Sequence, residues 1–180
     1  MSNNQLNLAD LESGSIPGLT PHNGGMLAEA GAVCLEKMNH GSGVVLTVNG
    51  SVQDQFTVWW DTVTDQQLRT YFDLPEATEW GACSIAILLA IHLTEFTVIE
   101  RSRKGTGFDY WLGYQNEPGP PFQNAARLEI SGILDGSDAN IRSRVGQKSD
   151  QVKQSANTGL PVYIIIVEFS APISYFVEQS

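Results

Sequence analysis

Apolar and polar positions alternate with helical periodicity in some segments of this chain and with strand periodicity in others. The order of these segments predicts a mixed α/β protein. Residues 25–39 place apolar side chains at the three- and four-residue spacing of an amphipathic helix. Residues 43–50 and 51–61 read as two strands that meet at an Asn-Gly pair, a favoured hairpin turn. Residues 63–73 look like a short helix, which completes an α-β-β-α unit.

The second part of the chain shows these patterns in the order helix, three strands, helix, strand. The first helix, 78–93, has Thr78 as its predicted N-cap and a stripe of small residues that favours close packing on a sheet. Strands are predicted over 96–101, 107–113 and 126–131, an amphipathic helix over 138–155 with Asp138 as N-cap, and a buried strand over 162–169.

Three segments are therefore expected. Residues 1–24 are polar and predict a loose lead-in. Residues 25–75 form the α-β-β-α extension, and residues 76–180 form an α/β core with the order αβββαβ. A chain of 180 residues with 42% apolar content is large enough to bury such a core.

Charge is unevenly distributed along the chain, whose formal net charge is −10. Residues 1–99 contain 11 acidic and 2 basic residues, whereas residues 100–180 contain 9 acidic and 8 basic residues. Because phosphate contacts supply most non-specific nucleic-acid affinity, such an acidic protein is a poor general nucleic-acid binder. Any nucleic-acid surface must therefore be local, or a partner must supply it.

Targeting and redox features favour a cytoplasmic protein. No apolar stretch approaches the ~18 residues of a membrane span. The N-terminus lacks the basic and apolar regions of a secretory signal. Cys34 and Cys83 fall in apolar helical patterns, which is typical of buried free thiols, with one disulfide as the alternative.

Three acidic side chains stand beside apolar residues. Glu79 opens a helix, Asp109 follows a glycine-rich turn and Glu129 lies in the middle of a strand. Because strand side chains alternate, Asp109 and Glu129 converge on one face if their strands are neighbours, and Glu79 approaches from the packed helix. Converging carboxylates suit Mg²⁺ or Mn²⁺, which can activate water and neutralise charge on a phosphate.

Each of these features also has a simpler explanation. Asp109 could pair with a neighbouring arginine at a strand edge, and Glu129 could face solvent on a half-exposed strand. Glu79 could be favoured only by the helix dipole, which stabilises acids in the first turn. The basic turn at 101–104 could be an ordinary solvated turn.

The order of these motifs connects them to a known family. Along the chain they are Glu79, the basic turn 101–103, Gly107-Phe108-Asp109 and Glu129-Ile130-Ser131. In this order the segment 78–168 resembles the core of the PD-(D/E)XK nuclease superfamily, the restriction-endonuclease-like fold. It is especially similar in layout to the Holliday-junction-resolvase-like branch.

The resemblance implies a metal-dependent nuclease that cuts DNA, in defence or DNA processing. Asp109, Glu129 and Glu79 would bind Mg²⁺ or Mn²⁺. The basic turn, with Arg101, Arg103 and Lys104, would contact DNA phosphates. Many such nucleases dimerise to cut two strands, so a homodimer is also an expectation.

One position departs from the family pattern. The family's lysine, which would help to orient or activate the attacking water, falls at Ser131, and serine carries no positive charge. Some members of the superfamily recruit a basic or amide residue from elsewhere. Candidates here are Arg127 on the same strand face, Lys104 in the turn, and Gln147, Lys148 or Gln151 on the following helix.

The predicted catalytic set is therefore Asp109, Glu129, Glu79, Ser131, Lys104 and Gln151. The alternative is that catalysis has been lost and that the nuclease-like domain acts as an interaction module in a larger assembly. In that case the acidic residues of 1–99 would bind a basic protein partner or block a nucleic-acid site by mimicking its charge.

Overall fold

A computed structural model describes residues 4–115, 124–153 and 156–180 of this protein, and within them it shows a mixed α/β fold. The helices are α1 (Pro21–Lys37), α2 (Asp65–Thr70), α3 (Leu74–Leu93) and α4 (Asp138–Lys153). The strands are β1 (Gln5–Asn7), β2 (Val44–Gly50), β3 (Asp54–Trp59), β4 (Thr97–Arg101), β5 (Tyr110–Gly113), β6 (Ala126–Ile133), β7 (Val162–Glu168) and β8 (Ile173–Gln179). Short 3₁₀ turns lie at Leu8–Glu12 and Ala156–Thr158.

The eight strands form one mixed sheet in the order β1-β3-β2-β8-β7-β6-β5-β4. β4, β5 and β6 form an antiparallel meander, and β7 pairs in parallel with β6. The strands of the N-terminal extension join the same sheet through the parallel pairing of β2 with β8. The helix, three-strand, helix, strand order expected for the second part of the chain is present as α3, β4 to β6, α4 and β7.

Helices cover the sheet on both faces. α1 and α3 pack against each other on one face and enclose the main apolar core. α4 covers β6 and β7 on the other face through a smaller cluster, in which Ile141 and Val152 contact Ile164 and Ile166. β7 is therefore buried on both faces, as its continuous apolar run predicts.

The core helix α3 is the one helix among the described residues that is long and apolar enough to cross a membrane, judged by length and composition alone. About 61% of the apolar window is buried, because α1 packs on one side and the sheet on the other. Such burial favours a core helix. Cys83 on α3 and Cys34 on α1 are both free thiols, and burial raises the pKa of each to about 12.

Two predicted helix caps are wrong by a few residues. α3 begins at Leu74, and its N-cap is Asp73, whose side chain accepts a hydrogen bond from the Glu76 N–H at 3.4 Å. Thr78 instead lies inside the helix and donates its hydroxyl to the Leu74 carbonyl at 2.6 Å. The sequence offers two capping residues, Thr78 and, upstream of it, Asp73. Asp73 is followed closely by a proline, which is favoured at the start of a helix.

α4 shows the same kind of shift. The Asn140 N–H donates to the Ser137 hydroxyl at 3.3 Å, and the Ser137 N–H donates to the Asn140 side chain at 2.9 Å. This reciprocal pair caps the helix at Ser137, one residue before the predicted Asp138. The helix is described as far as Lys153, and residues 154–155, the end of the predicted helix, lie outside the described residues.

The segment expected to be a loose lead-in contains ordered structure from residue 5 onward. β1 pairs in parallel with β3, and the following turn buries Leu8 and Leu11 against α1. The C-terminal strand β8, which the sequence patterns did not single out, pairs with both β7 and β2. Both elements depend on partners that are distant in the sequence, so local patterns identify them poorly.

Gly132 allows α3 to approach β6 closely, three residues after the acidic position Glu129. A Cβ atom at Gly132 would lie 2.5 Å from the Thr78 carbonyl oxygen, which is backbone and cannot move aside alone. We expect Gly132→Ala to lower the free energy of unfolding by about 1–3 kcal/mol, measured by urea denaturation.

Gly146 provides a matched control because it lies in α4, where an added Cβ atom would have nothing within 4 Å. Gly146→Ala should be neutral or stabilise the protein by about 0.5–1 kcal/mol, since alanine is the better helix former. Equal effects of the two substitutions would contradict close packing of α3 on β6.

Candidate active site

Asp109 and Glu129 come together at the start of β5. That strand pairs with β6 through Tyr110 with Leu128 and Trp111 with Arg127, and it begins at Tyr110, three residues later than predicted, so Asp109 lies just before it. The Asp109 N–H donates to the Leu128 carbonyl at 2.8 Å, one residue out of step with this register. Both predicted carboxylates line the same cleft, so the structure brings them together.

The two carboxylates differ in their surroundings. Asp109 is half-buried, and its Oδ2 accepts a hydrogen bond from the Ile130 N–H at 2.8 Å, which holds the side chain against β6. Glu129 is only 2% exposed. Burial, and then the charge of Asp109, raise the pKa of Glu129 to about 7, while Lys148 acts in the opposite direction.

Two residues of α4 contact the buried Glu129. The Lys148 ammonium lies 2.5 Å from Glu129 Oε1, and the Gln151 Nε2 donates to the same oxygen at 3.2 Å. Lys148 and Gln151 also contact each other at 3.4 Å. Because they are three residues apart, both face the sheet from one side of the helix.

Three further residues that could replace the missing lysine are placed differently. Arg127 is buried and donates to the backbone carbonyls of Val152 and Leu160 at 3.4 and 2.7 Å, so its described contacts are structural. Gln147 is exposed on α4. Lys104 lines the same cleft as Glu129 from the turn between β4 and β5.

The cation that contacts Ser131 is an arginine. The Ser131 side chain is 1% exposed, and its hydroxyl accepts a hydrogen bond from Arg144 Nη1 at 2.6 Å. Arg144 was not among the candidates from the sequence. The signal for it was available, because Arg144, Lys148 and Gln151 follow the spacing of one helix face.

Glu79 lies at the rim of this arrangement, and its side chain is exposed. Partial burial raises the pKa of Glu79. The charges of Lys148 and Arg144 lower it by less, the charge of Asp109 raises it, and a hydrogen bond from the Gly132 backbone lowers it slightly. Glu79 does not line the cleft that holds Asp109 and Glu129. In the described part of the chain, no three His, Cys, Asp or Glu side chains form a group that could hold a metal ion.

The cleft has a volume of about 570 Å³ and is bordered by acidic and basic side chains. Asp109 and Glu129 lie on its floor, with Lys148 and Gln151 on the α4 side. The turn between β4 and β5 forms the other side with residues Arg101, Ser102, Arg103, Lys104, Gly105, Gly107 and Phe108.

Ser102 connects this basic turn to Asp109 by a hydrogen bond. Its N–H donates to the Asp109 carbonyl at 2.8 Å, and its hydroxyl shares a hydrogen bond of 2.7 Å with Thr106. The turn is therefore anchored at the residue that carries one of the two carboxylates. Arg101, Arg103 and Lys104 are all exposed on it, where they can meet a large ligand.

The raised pKa of Glu129 predicts a pH-dependent stability. Between its ordinary pKa of 4.5 and the folded value of about 7, the folded state binds more protons than the unfolded state. The stability contribution is therefore fully present below about pH 4.5 and is lost as pH rises through 7. We expect wild type to lose on the order of 1–3 kcal/mol relative to Glu129→Gln across this window, measured by urea denaturation.

A suitable control for this pH effect is Glu100→Gln, because Glu100 is an exposed acid at the end of β4. It should retain the pH slope of the wild type. An identical pH slope in Glu129→Gln and wild type would show that the ionised Glu129 does not destabilise the fold.

The described residues thus define a mixed α/β protein with a paired-carboxylate cleft beside a basic turn. In comparisons with known proteins, no protein-family model, no curated protein and no solved structure matches this chain. The chemistry of the cleft is therefore the basis for inferring function.

Proposed function

We propose that this protein is a metal-dependent nuclease that hydrolyses phosphodiester bonds in DNA. α3, β4, β5, β6, α4 and β7 would form its restriction-endonuclease-like core. The observation that carries the proposal is the juxtaposition of Asp109 and Glu129 with Lys148 in a cleft bordered by a basic turn. The order of these six elements is the αβββαβ order that the sequence resemblance implies.

The chemistry of Asp109 and Glu129 fits a Mg²⁺ or Mn²⁺ ion. Mg²⁺ keeps several waters and is commonly held by one or two carboxylates together with substrate phosphate oxygens. Two carboxylates that share one site repel each other, and a divalent cation would offset that repulsion. When bound, the ion would lower the pKa of a water molecule and neutralise charge on the phosphate.

Lys148 would take the role that the family assigns to the lysine at the Ser131 position. Its ammonium has three N–H donors: one meets Glu129, one meets Gln151, and the third would remain for a phosphate oxygen. A preorganised positive charge at this place would stabilise the charge that develops in the transition state. Gln151 would hold Glu129 in position, because it donates to the same carboxylate oxygen.

Glu79 and the basic turn would assist from outside the acidic pair. Glu79 would act on the site through its electrostatic interaction with Lys148, Arg144 and Asp109. Arg101, Arg103 and Lys104 would contact DNA phosphates, which fixes the position of the backbone but carries no sequence information. This gives an acidic protein the local basic surface that DNA binding requires.

The direct test is cleavage of plasmid, single-stranded and branched DNA by the purified protein. We expect cleavage with Mg²⁺ or Mn²⁺ and none in EDTA. Branched DNA is included because the layout is similar to that of Holliday-junction resolvases. The proposal would be abandoned if none of the three substrates were cut with either ion.

A second candidate is a non-catalytic interaction module. It is favoured by Ser131 at the family's lysine position and by the 11 acidic and 2 basic residues of the first 99 positions. Such an acidic surface would complement a basic protein partner. A fully folded protein that cuts none of the DNA substrates would support this candidate.

A further inference from the structure

The guanidinium of Arg144 is held at a defined place next to the acidic pair. Ser131 lies two residues after Glu129 on the same face of β6, and its buried hydroxyl accepts from Arg144 at 2.6 Å. Two residues along a strand span about 6.6 Å. Arg144 is also one helical turn, about 5.4 Å, from Lys148 along α4. It therefore lies near the acidic pair but does not line their cleft.

Arg144 donates to Ser131 and belongs to no salt bridge among the described residues, although its charge acts on Glu79. A guanidinium has five N–H donors, and Ser131 receives one of them. Among the described residues, the salt bridges are Arg69–Asp65, Lys148–Glu129 and Lys153–Asp150, and none of these includes Arg144.

Arg144 also borders open space on both sides. One cavity of about 340 Å³ is lined by Asp135, Asn140 and Gln147, and another of about 320 Å³ is lined by Glu79 and Gly132. Both are separate from the cleft that holds Asp109 and Glu129. The side chain is half-buried, so it is held in place yet accessible. A ligand in either cavity would meet the guanidinium.

The distribution of basic residues points to the chemistry of that ligand. Of the ten Lys and Arg residues in the chain, three lie at the turn between β4 and β5 and four lie on α4. Those on α4 are Arg142, Arg144, Lys148 and Lys153. Of the four on α4, Lys148 lines the cleft, Arg144 lies one helical turn from it, and Arg142 and Lys153 are exposed. In a protein of net charge −10, the turn together with Lys148 and Arg144 gives a local concentration of positive charge, which suits a polyanionic strand.

We propose that Arg144, positioned by Ser131, binds the phosphate next to the one at the Asp109–Glu129 pair. The identification of the ligand as a nucleic-acid strand rests on the proposed nuclease function. Ser131 would be a positioning residue that acts through Arg144. Ser131, at the family's lysine position, would then have a role of its own, because its hydroxyl would hold a phosphate-binding arginine in place.

Binding of fluorescein-labelled DNA, measured by fluorescence anisotropy in EDTA, tests the phosphate contact without any need for cleavage. We expect Arg144→Ala to weaken binding by about 10- to 100-fold, the effect of losing a charge-assisted hydrogen bond. The slope of log affinity against log salt concentration should fall by about 1, as for one lost phosphate contact. Arg144→Lys, which keeps the charge, should restore part of the affinity.

Arg142→Ala is the matched control, because Arg142 is an exposed arginine on the same helix. It should change affinity much less than Arg144→Ala does. Thermal unfolding monitored by circular dichroism should show a cooperative transition for every variant. Affinity and salt slope unchanged in Arg144→Ala would refute the phosphate contact.

A double-mutant cycle tests the role of Ser131. Ser131→Ala should weaken DNA binding by about three- to tenfold on its own and have no further effect when Arg144 is already alanine. Additive effects of the two substitutions would refute the positioning role. If the wild type cuts no DNA but Arg144→Ala binds DNA more weakly than the wild type does, the phosphate contact is upheld and the nuclease proposal is overturned. If the wild type cuts DNA and Arg144→Ala binds it equally tightly, the nuclease proposal is upheld and the phosphate contact is refuted.

Discussion

We expect Asp109→Asn to reduce metal-dependent DNA cleavage by about 10³-fold, because several kcal/mol of charge stabilisation would be lost with one ligand charge. Asparagine has nearly the same shape as aspartate, and its carbonyl oxygen can still accept from the Ile130 N–H. The substitution therefore removes charge while preserving the local backbone contact. Initial rates of plasmid nicking with Mg²⁺ or Mn²⁺ measure the effect.

Asp150→Asn is the control for this substitution. Asp150 is an exposed acid on α4 that pairs with Lys153, away from the cleft. It should cleave DNA at nearly the wild-type rate. Undiminished cleavage by Asp109→Asn would eliminate this site, even if the protein is a nuclease.

Thermal unfolding adds a second readout for Asp109→Asn. Removing one of two facing negative charges should leave the fold at least as stable as wild type, since Asp109 raises the pKa of the buried Glu129. Lost cleavage in a protein that is equally or more stable would identify Asp109 as functional and not merely structural. A marked drop in stability would instead assign it a structural role.

Lys148→Ala is expected to have the second largest effect, with cleavage reduced by about 10²- to 10³-fold through loss of a preorganised positive charge. Breaking the pair also leaves Glu129, which is 2% exposed, without its ammonium partner. Because Lys148 is itself 21% exposed, we expect a stability loss of about 1–3 kcal/mol, less than for a fully buried pair. Lys148→Met, with a side chain of similar length, separates the charge effect from lost packing.

The pH dependence of the remaining activity gives a sharper test of Lys148. Its positive charge lowers the pKa of Glu129, so its removal should raise that pKa further. If ionised Glu129 is needed, the acidic limb of the pH–rate profile should move to higher pH in Lys148→Ala. Lys153→Ala, from an exposed pair on the same helix, should leave both the rate and the profile nearly unchanged. An unshifted profile in Lys148→Ala would show that Lys148 does not act on Glu129.

Local sequence patterns anticipated the parts of the fold that depend on a single element. The continuous apolar run of β7 predicts burial on both faces, which needs only the fixed geometry of a strand. The sequence also predicts that Asp109 and Glu129 come together, but Asp109 lies just before β5, so strand alternation alone does not account for their meeting. Caps were less predictable, because Asp73 and Thr78 both qualify as N-caps and packing determines where α3 begins.

Local sequence patterns did not predict the contacts between helices and strands. β1 and β8 are recognisable only by their partners in the sheet. The rotation of α4 about its axis determines which of its polar residues reach β6. That rotation brings Lys148 and Gln151 to Glu129 and Arg144 to Ser131, while Gln147 remains exposed.

The amino-acid sequence by itself determines the order of helices and strands from α1 to β7, because this follows from local periodicity, and it identifies Asp109 and Glu129 as acids beside apolar residues. The tertiary structure determines that Lys148 contacts Glu129 and that Glu79 lies at the rim of the site. It also shows that the Ser131 hydroxyl accepts a hydrogen bond from Arg144 of α4. These relations depend on strand register and helix rotation, which arise from packing between residues far apart in the chain.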